Sequence, residues 1–99
     1  MRQQISGRWF QWDDKKAQKN FRKHDIMFED AALVFDDENR IEEYDYMHSE
    51  IEDRWKIIGM VQDVLCVVYT ERGEDIRLIT ARKATPKERR DYNDGKKIY

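Results

Sequence analysis

The strongest structural signals in this chain lie in VLCVVYTERGEDIRLITARKATPKERRDY, residues 64–92. Residues 64–71 form an apolar run rich in β-branched side chains, and residues 76–83 form a second run that contains Ile76, Ile79 and Thr80. Both patterns are typical of β-strands, and Arg72–Asp75 between them contains a glycine, which a tight turn favours. The segment therefore predicts a β-hairpin over residues 64–83.

A helix is predicted directly after this hairpin. Thr85 is a favourable N-cap residue, and Pro86 suits the first helical position. Glu88 stands three residues after the cap, which is the spacing of a capping box. The helix is predicted to end near Asn93, and residues 96–99 are predicted to be a frayed tail.

The N-terminal third predicts a short strand and two helices. Residues 8–12 are aromatic and read as a strand, and Asp13 or Asp14 can cap a helix that runs to Lys23. Apolar side chains at spacings of three and four predict a second helix over residues 28–35. Three side chains of the first helix are predicted to face the core: Ala17, Phe21 and His24.

Two further strands are predicted in the middle of the chain, over residues 40–47 and 54–61, with a polar loop at residues 48–53. The predicted order is β-α-α-β-β-β-β-α. We predict an α+β fold in one domain, residues 1–99. Its antiparallel sheet of three to four main strands carries an N-terminal αα hairpin on one face and is followed by the C-terminal helix.

Length and composition favour a small protein without membrane association. The chain has 99 residues, enough for one small core, and its apolar residues occur in blocks. No apolar run approaches the roughly 18 residues of a membrane span, and the N-terminus has no hydrophobic signal segment, so we expect a cytoplasmic protein. Cys66 lies within an apolar run and is expected to be a buried apolar residue; no metal or cofactor is predicted.

The formal net charge of -2 conceals an uneven distribution of charge. Residues 1–30 contain seven Lys or Arg and five acids, residues 31–63 contain three and ten, and residues 64–99 contain nine and six. This distribution predicts an anion-binding end and an acidic side, with ordinary solvated faces as the alternative.

Five segments, taken in order, resemble the BrnT toxins, which are RelE-like ribonucleases of type II toxin-antitoxin modules. These segments are WDDKKAQKNFRKHD (12–25), FEDAALVFDD (28–37), RWKIIGMV (54–61), VVYTERGEDIRLITARKAT (67–85) and KERRDY (87–92). The chain departs from the family pattern at Asp25, where these toxins usually have glycine, and in its mildly acidic net charge.

The resemblance implies a RelE-like sheet and a metal-independent endoribonuclease that inhibits translation by cutting RNA. It also implies a cognate BrnA-like antitoxin with a ribbon-helix-helix part, so that DNA would be bound only indirectly, through the antitoxin. The competing hypothesis is a non-catalytic toxin fold that only binds an antitoxin or another protein. The acidic stretch 36–53 should repel RNA and is either an antitoxin-facing surface or a solvated one.

Metal-free RNA cleavage requires a base for the 2′-OH, help for the leaving 5′ oxygen, and fixed positive charge around the phosphate. The catalytic candidates are Arg82, Tyr92, His24 and Glu71. The RNA-binding candidates are Lys83, Arg89, Arg54, Arg72 and Lys23. Arg82 and Tyr92 resemble an arginine at the end of the last strand and a C-terminal tyrosine that have such roles in RelE-type enzymes.

Strand geometry divides these candidates between two ends of the sheet. Arg82 is predicted to lie opposite Cys66, whereas Arg72 is predicted to lie at the turn, opposite Ile76. Six residues of strand at about 3.3 Å each place the two arginines on the order of 20 Å apart. Arg54 is predicted to lie beside Glu71, at the turn end. The last helix begins three residues after Arg82, so Arg89 and Tyr92 can lie near it, and the Arg82 end is preferred for RNA binding and catalysis.

The same residues also have structural interpretations. Arg82 can form a salt bridge with Asp63, and Tyr92 can pack its ring under the last helix. Glu88 is explained by the capping box alone. His48, in an acidic loop, is expected to be exposed and to have no role.

Overall fold

The computed structural model describes residues 1–95, so the tail predicted at 96–99 lies outside the described residues. The strands are β1 (Arg2–Ile5), β2 (Arg8–Gln11), β3 (Ile41–Tyr44), β4 (Trp55–Val61), β5 (Asp63–Arg72) and β6 (Asp75–Lys83). The α-helices are α1 (Asp14–His24), α2 (Phe28–Ala31) and α3 (Pro86–Asn93), and 3-10 helices occupy Ala32–Asp36 and Tyr46–His48. The α+β class is therefore confirmed.

The sheet has six strands in the order β1-β2-β6-β5-β4-β3, so the prediction of three to four main strands was wrong. Strands β3 to β6 form the predicted antiparallel meander. The additional hairpin, β1 and β2, lies at the outer side of β6, where β2 runs parallel to it. Strand β1 has the polar sequence RQQI, which lacks the apolar alternation that identifies a strand.

The hairpin formed by β5 and β6 is close to the prediction. Arg82 pairs with Cys66 as expected, whereas Arg72 pairs with Asp75, one residue from the predicted register. Gly73 has a φ of 61°, so the turn uses the left-handed conformation that glycine adopts most easily. The register shifts between Val68 and Tyr69, which leaves both ends of the hairpin paired.

The predicted αα hairpin is only partly formed. Helix α1 is regular and begins at its N-cap Asp13, whose side chain accepts a hydrogen bond from the Lys16 N–H. The second predicted helix is one α-helical turn that continues as the first 3-10 helix. Asp25 ends α1 with a φ of 58°, so it adopts the left-handed conformation for which glycine is usual and still donates its N–H to the Phe21 carbonyl.

The buried residue of α1 is a polar one, Asn20, and this differs from the prediction. Phe21 is 46% exposed, whereas Asn20 is 6% exposed. The Asn20 side chain accepts a hydrogen bond from the Ala81 N–H at 3.0 Å and donates one to the Ile26 carbonyl at 3.1 Å. Because β2 pairs with β6 only over Ile76 and Arg77, Asn20 supplies a partner where that strand pairing has ended.

Both faces of the sheet are covered, at least in part. Helices α1 and α2 and the first 3-10 helix pack on one face in the larger core, which includes Ile57, Val67 and Ala81. Helix α3 packs on the other face, where Tyr92 joins a second cluster around Ile58. Within residues 1–95, no helix combines the length and apolar character needed to cross a membrane.

Candidate active site

The part of the second face beside α3 contains a shallow depression of about 240 Å³. Its walls come from β4, β5 and β6 and from the 3-10 helix at Tyr46–His48. The lining residues are Asp45, Met47, His48, Arg54, Lys56, Val68, Ile79, Thr80 and Arg82. Arg54 immediately precedes β4, and Lys56 of β4 pairs with Val68, which pairs with Thr80, so the sheet register brings these side chains together.

Arg82 is fixed within this depression by Glu88 of α3. Two guanidinium nitrogens donate to the two carboxylate oxygens at 2.7 and 3.0 Å, and the arginine side chain remains 32% exposed. The hydrogen bond to Glu88 raises the pKa of Arg82 above its ordinary value. The alternative interpretation, a salt bridge of Arg82 with Asp63, is therefore wrong, because Glu88 holds the arginine instead. One edge of the held guanidinium can still face a ligand.

Lys56 and Arg54 add two more positive charges. The Lys56 ammonium lies 4.0 Å from Glu88, and the Arg54 guanidinium lies 3.6 Å from Glu52. Arg54 was expected beside Glu71 at the turn end of the sheet, and it does lie towards that end, since it precedes Trp55, which pairs with Tyr69, and it shares Glu52 with Arg72. Its side chain nevertheless lines the depression together with Arg82. What the sequence did not predict is that side chains from the two ends meet, because Arg54 and Arg82 point to the same face of the sheet.

His48 lines the same depression and contacts a buried carboxylate. Its Nδ1 lies 3.0 and 3.2 Å from the two oxygens of Asp45, whose side chain is 5% exposed. The His48 side chain is 66% exposed, as expected, but its contact with Asp45 was not expected. A buried carboxylate of this kind fixes the orientation of an imidazole and leaves its Nε2 available.

The remaining arginine and glutamate candidates at the turn lie apart from this group. The Arg72 guanidinium donates to Glu52 at 3.1 Å, and Glu71 is exposed and pairs with Ile76 beside the turn. Arg72 thus shares Glu52 with Arg54 at one rim of the site. Glu71 is not brought together with Arg82.

Lys83 and Arg89 lie near a different carboxylate, that of Asp63. The Arg89 guanidinium lies 3.1 Å from Asp63, and the Lys83 ammonium lies 4.0 Å from it. The Lys83 side chain is 70% exposed. These two RNA-binding candidates therefore form a second basic group at the connection between β4 and β5, separate from the lining of the depression.

Lys23 and His24 occupy the last turn of α1, where positive charge is favoured by the helix dipole. Burial lowers the pKa of His24, and the charges of Lys23 and Arg82 lower it further. Helix α1 packs on β6 near Ala81, so His24 lies close to the Arg82 end of the sheet, on the face opposite the depression.

Tyr92 has a packing environment that accounts for its presence. Its ring packs on the cluster that contains Ile58 and Cys66, and its hydroxyl donates a short hydrogen bond to Asp37. Burial, together with the Asp37 carboxylate, raises the pKa of Tyr92 to about 12. The pKa of the Cys66 thiol is raised to about 12 by its burial, and the prediction that Cys66 is a buried apolar residue is confirmed.

We expect Tyr92→Phe to lower stability and leave RNA cleavage nearly unchanged. The variant keeps the ring in its cluster and loses one hydrogen bond to a charged group, a change of roughly 1–2 kcal/mol. Urea unfolding and a cleavage assay measure the two effects. A large loss of cleavage without a loss of stability would instead support the catalytic role predicted from the resemblance.

Lowering the pH should weaken the contact that Glu88 of α3 makes with Arg82 of the sheet. Burial alone would raise the pKa of Glu88, but the Arg82 side chain and the Thr85 N–H outweigh it and lower the pKa from 4.5 to about 2. A depressed carboxylate pKa adds stability above the unfolded value, and this stability is lost as pH falls from about 4.5 to about 2. Glu88→Gln should therefore lose stability at pH 7 and show a weaker dependence on pH in this window.

Urea midpoints of wild type and Glu88→Gln at pH 7 and pH 3 measure this difference. Glu38→Gln is the matched control, because Glu38 is an exposed acid outside the site. If the urea midpoint fell by the same amount in all three proteins between pH 7 and pH 3, the pH dependence of stability could not be assigned to Glu88.

Sequence reasoning missed several members of the site. Lys56 stands two residues after Arg54, and this spacing places both on one side of a strand, so the signal was present. The pair of Asp45 and His48 has the i, i+3 spacing of a helical turn, but its acidic surroundings favoured a solvated loop. Thr80 carried no distinctive signal, since its place depends on the register of three strands.

Comparison with known proteins agrees with this architecture. The family described as "Ribonuclease toxin, BrnT, of type II toxin-antitoxin system" matches residues 12–88. The crystal structure of the Brucella abortus ribonuclease toxin BrnT is similar, with a TM-score of 0.56 and 22% sequence identity; the match covers 75% of this chain and 92% of that one. Among curated protein sequences, nothing matches.

Proposed function

Since the chain belongs to the BrnT family of ribonuclease toxins of type II toxin-antitoxin systems, we propose that it inhibits translation by cutting RNA without a metal ion. The proposed site is the depression on the sheet face beside α3. The observation that carries the proposal is the convergence of three cations, Arg54, Lys56 and Arg82, on this one depression.

The chemistry required by the reaction fits these groups. As the 2′ oxygen attacks phosphorus, negative charge accumulates on the phosphate oxygens, and cations fixed in advance stabilise it. Arg82 is suited to this role because Glu88 holds its planar guanidinium and because arginine can bind phosphate in a fork. Lys56 and Arg54 supply further positive charge next to it.

The other predicted residues are assigned a supporting role in RNA binding, a packing role or no role in cleavage. Lys23, in the exposed last turn of α1, would bind the RNA chain beyond the cleaved bond, and His24 beside it is given no role in cleavage. Lys83 and Arg89 would extend the basic surface beside Asp63, and Arg72 would extend it at the Glu52 rim. Tyr92 is proposed as a packing residue, and Glu71 is given no catalytic role.

The family also implies an antitoxin partner and an RNA target. We propose that the antitoxin is BrnA-like, with a ribbon-helix-helix part, and that residues 1–99 act as one cytoplasmic domain. The acidic stretch 36–53 is divided in this proposal. Asp45 belongs to the candidate site, whereas exposed acids such as Glu38 and Glu42 remain available to a partner.

The test compares two lysine variants in a cleavage assay that contains EDTA. Purified wild type is mixed with free mRNA and with mRNA on ribosomes, and growth is followed when the chain is expressed without its neighbouring gene. Lys56→Gln should reduce cleavage about tenfold or more, because one cation next to the phosphate is lost. Lys83→Gln is the matched control and should reduce cleavage less, since Lys83 lies outside the depression.

Cleavage that requires added metal would overturn metal independence, and equal effects of the two variants would overturn the location of the site. The competing hypothesis of a binding module makes a different prediction. It expects tight binding of the protein encoded next to this chain, with both free and ribosome-bound RNA left intact.

A further inference from the structure

We propose that His48, held by Asp45, is the general base that removes the 2′-OH proton of the RNA. This inference rests on the proposed function, because it assigns one chemical role within the same depression. It differs from the assignment suggested by the sequence, in which His24 was the histidine candidate for the base. The first supporting observation is the contact of His48 Nδ1 with both oxygens of the buried Asp45 carboxylate.

That contact determines which imidazole nitrogen is available. With Nδ1–H donating to the carboxylate, Nε2 carries the free lone pair and can accept a proton. A carboxylate in this position also stabilises the imidazolium that forms during the reaction. His48 is 66% exposed while Asp45 is 5% exposed, so the ring can be reached by a ligand and its support cannot easily move away.

The second observation is that the backbone around this pair is closed by hydrogen bonds. The Asp45 N–H donates to the Arg54 carbonyl at 2.9 Å, which joins the two ends of the segment. The Ser49 hydroxyl donates to the Asp45 carbonyl at 2.6 Å and accepts from the Arg54 N–H at 2.9 Å. These contacts fix His48 relative to β4, the strand that carries Lys56.

The third observation is the composition of the surroundings. His48 lines the depression together with Arg82 and Lys56, so a phosphate bound by these cations would lie within the same site as the imidazole. By contrast, His24 is partly buried at the end of α1 and is not among the residues that line the depression. The charged groups around His48 are Asp45, Glu50, Glu52, Arg54, Lys56 and Arg82.

The step can be written with its atoms balanced. Nε2 of neutral His48 accepts the proton of the 2′-OH, and the 2′ oxygen forms a bond to the adjacent phosphorus. The bond from phosphorus to the 5′ oxygen breaks, and that oxygen takes a proton from water. The products are a 2′,3′-cyclic phosphate and a 5′-OH end, and His48 then returns its proton to the solvent.

Single-turnover cleavage and RNA binding should be measured separately for His48→Gln. Loss of a general base reduces the rate by about 10²–10⁴-fold, and we expect a loss in this range while the dissociation constant for a non-cleavable 2′-deoxy RNA changes less than threefold. His48→Ala should regain part of its activity with added imidazole. The 5′-OH and cyclic phosphate ends should be found on the wild-type products.

Asp45→Asn and His24→Gln complete the set. Asp45→Asn should lower the rate at least tenfold with little change in RNA binding, and its melting temperature shows whether the segment remains folded. His24→Gln is the matched histidine control and should retain at least one third of the wild-type rate. The same assays are run over pH 5–9, where the wild-type rate should fall towards acid and that of His48→Gln should vary less.

A His48→Gln rate within threefold of wild type would overturn the inference, as would a loss of RNA binding as large as the loss of rate. These failures differ from failure of the proposed function itself. If wild type cleaves RNA and needs Lys56 and not His48, only the base assignment is wrong. If wild type cleaves no RNA, the proposed function is wrong as well.

Discussion

Replacing Arg82 with alanine is expected to reduce RNA cleavage by about 10²–10³-fold, the range typical for loss of a group that stabilises transition-state charge. Arg82 lines the depression, and its guanidinium is held by two hydrogen bonds to Glu88. Arg82→Lys should recover part of the activity at most, because lysine keeps the charge and loses the planar fork.

The alanine variant leaves Glu88 without its strongest partner, so stability must be measured beside cleavage. Arg82→Ala combined with Glu88→Gln removes the carboxylate that has lost its arginine and should restore part of any lost stability without restoring activity. Arg90→Ala is the control, because Arg90 is an exposed arginine of α3 outside the depression. Equal activity of Arg82→Ala and Arg90→Ala would remove Arg82 from the site.

Replacing Asn20 with alanine is expected to destabilise the fold by roughly 2–5 kcal/mol. The change leaves two buried backbone groups, the Ala81 N–H and the Ile26 carbonyl, without their partner, and each such group costs about 1–3 kcal/mol. Because the free energy of unfolding of a protein is only about 5–15 kcal/mol, a loss of this size should shift the urea midpoint strongly.

Urea unfolding at pH 7 measures this effect, with Gln18→Ala as the matched control. Gln18 is an exposed amide side chain on the same helix, so its loss should change stability by less than about 0.5 kcal/mol. Asn20→Asp keeps an acceptor for the Ala81 N–H and loses the donor for the Ile26 carbonyl. A stability of Asn20→Ala equal to that of Gln18→Ala would show that water replaces the lost amide without cost.

The parts of the fold that sequence predicts well are governed by local chemistry. The hairpin over residues 64–83 and the capping box of Thr85 and Glu88 are both present. Residues close together in the sequence determine both elements, so contacts with distant parts of the chain did not alter them. Strand β1 escaped prediction because its polar sequence RQQI has no apolar alternation. The pairing of β2 with β6 escaped prediction because it joins residues that are distant in the sequence, such as Phe10 and Ile76.

The candidate site, like the fold, was predictable only where residues close in the sequence determine it. Arg82 was found because its strand and partner strand form a local hairpin, and its opposite residue was predicted correctly. The second role of Glu88 was missed because the capping box already explained it. Asp45 and His48 were missed because their importance depends on a loop closed against Arg54, a contact that spacing alone does not reveal.

One carboxylate, that of Glu88, completes the cap of α3 and also holds Arg82. The proposed toxicity of the chain has a genetic consequence. Among survivors selected for loss of toxicity, changes at Thr85 and Pro86 should appear beside changes in the depression, although neither residue lines it. Such suppressors would show that the position of Arg82 in the sheet depends on the first turn of α3. They would lie at residues that make no proposed contact with RNA.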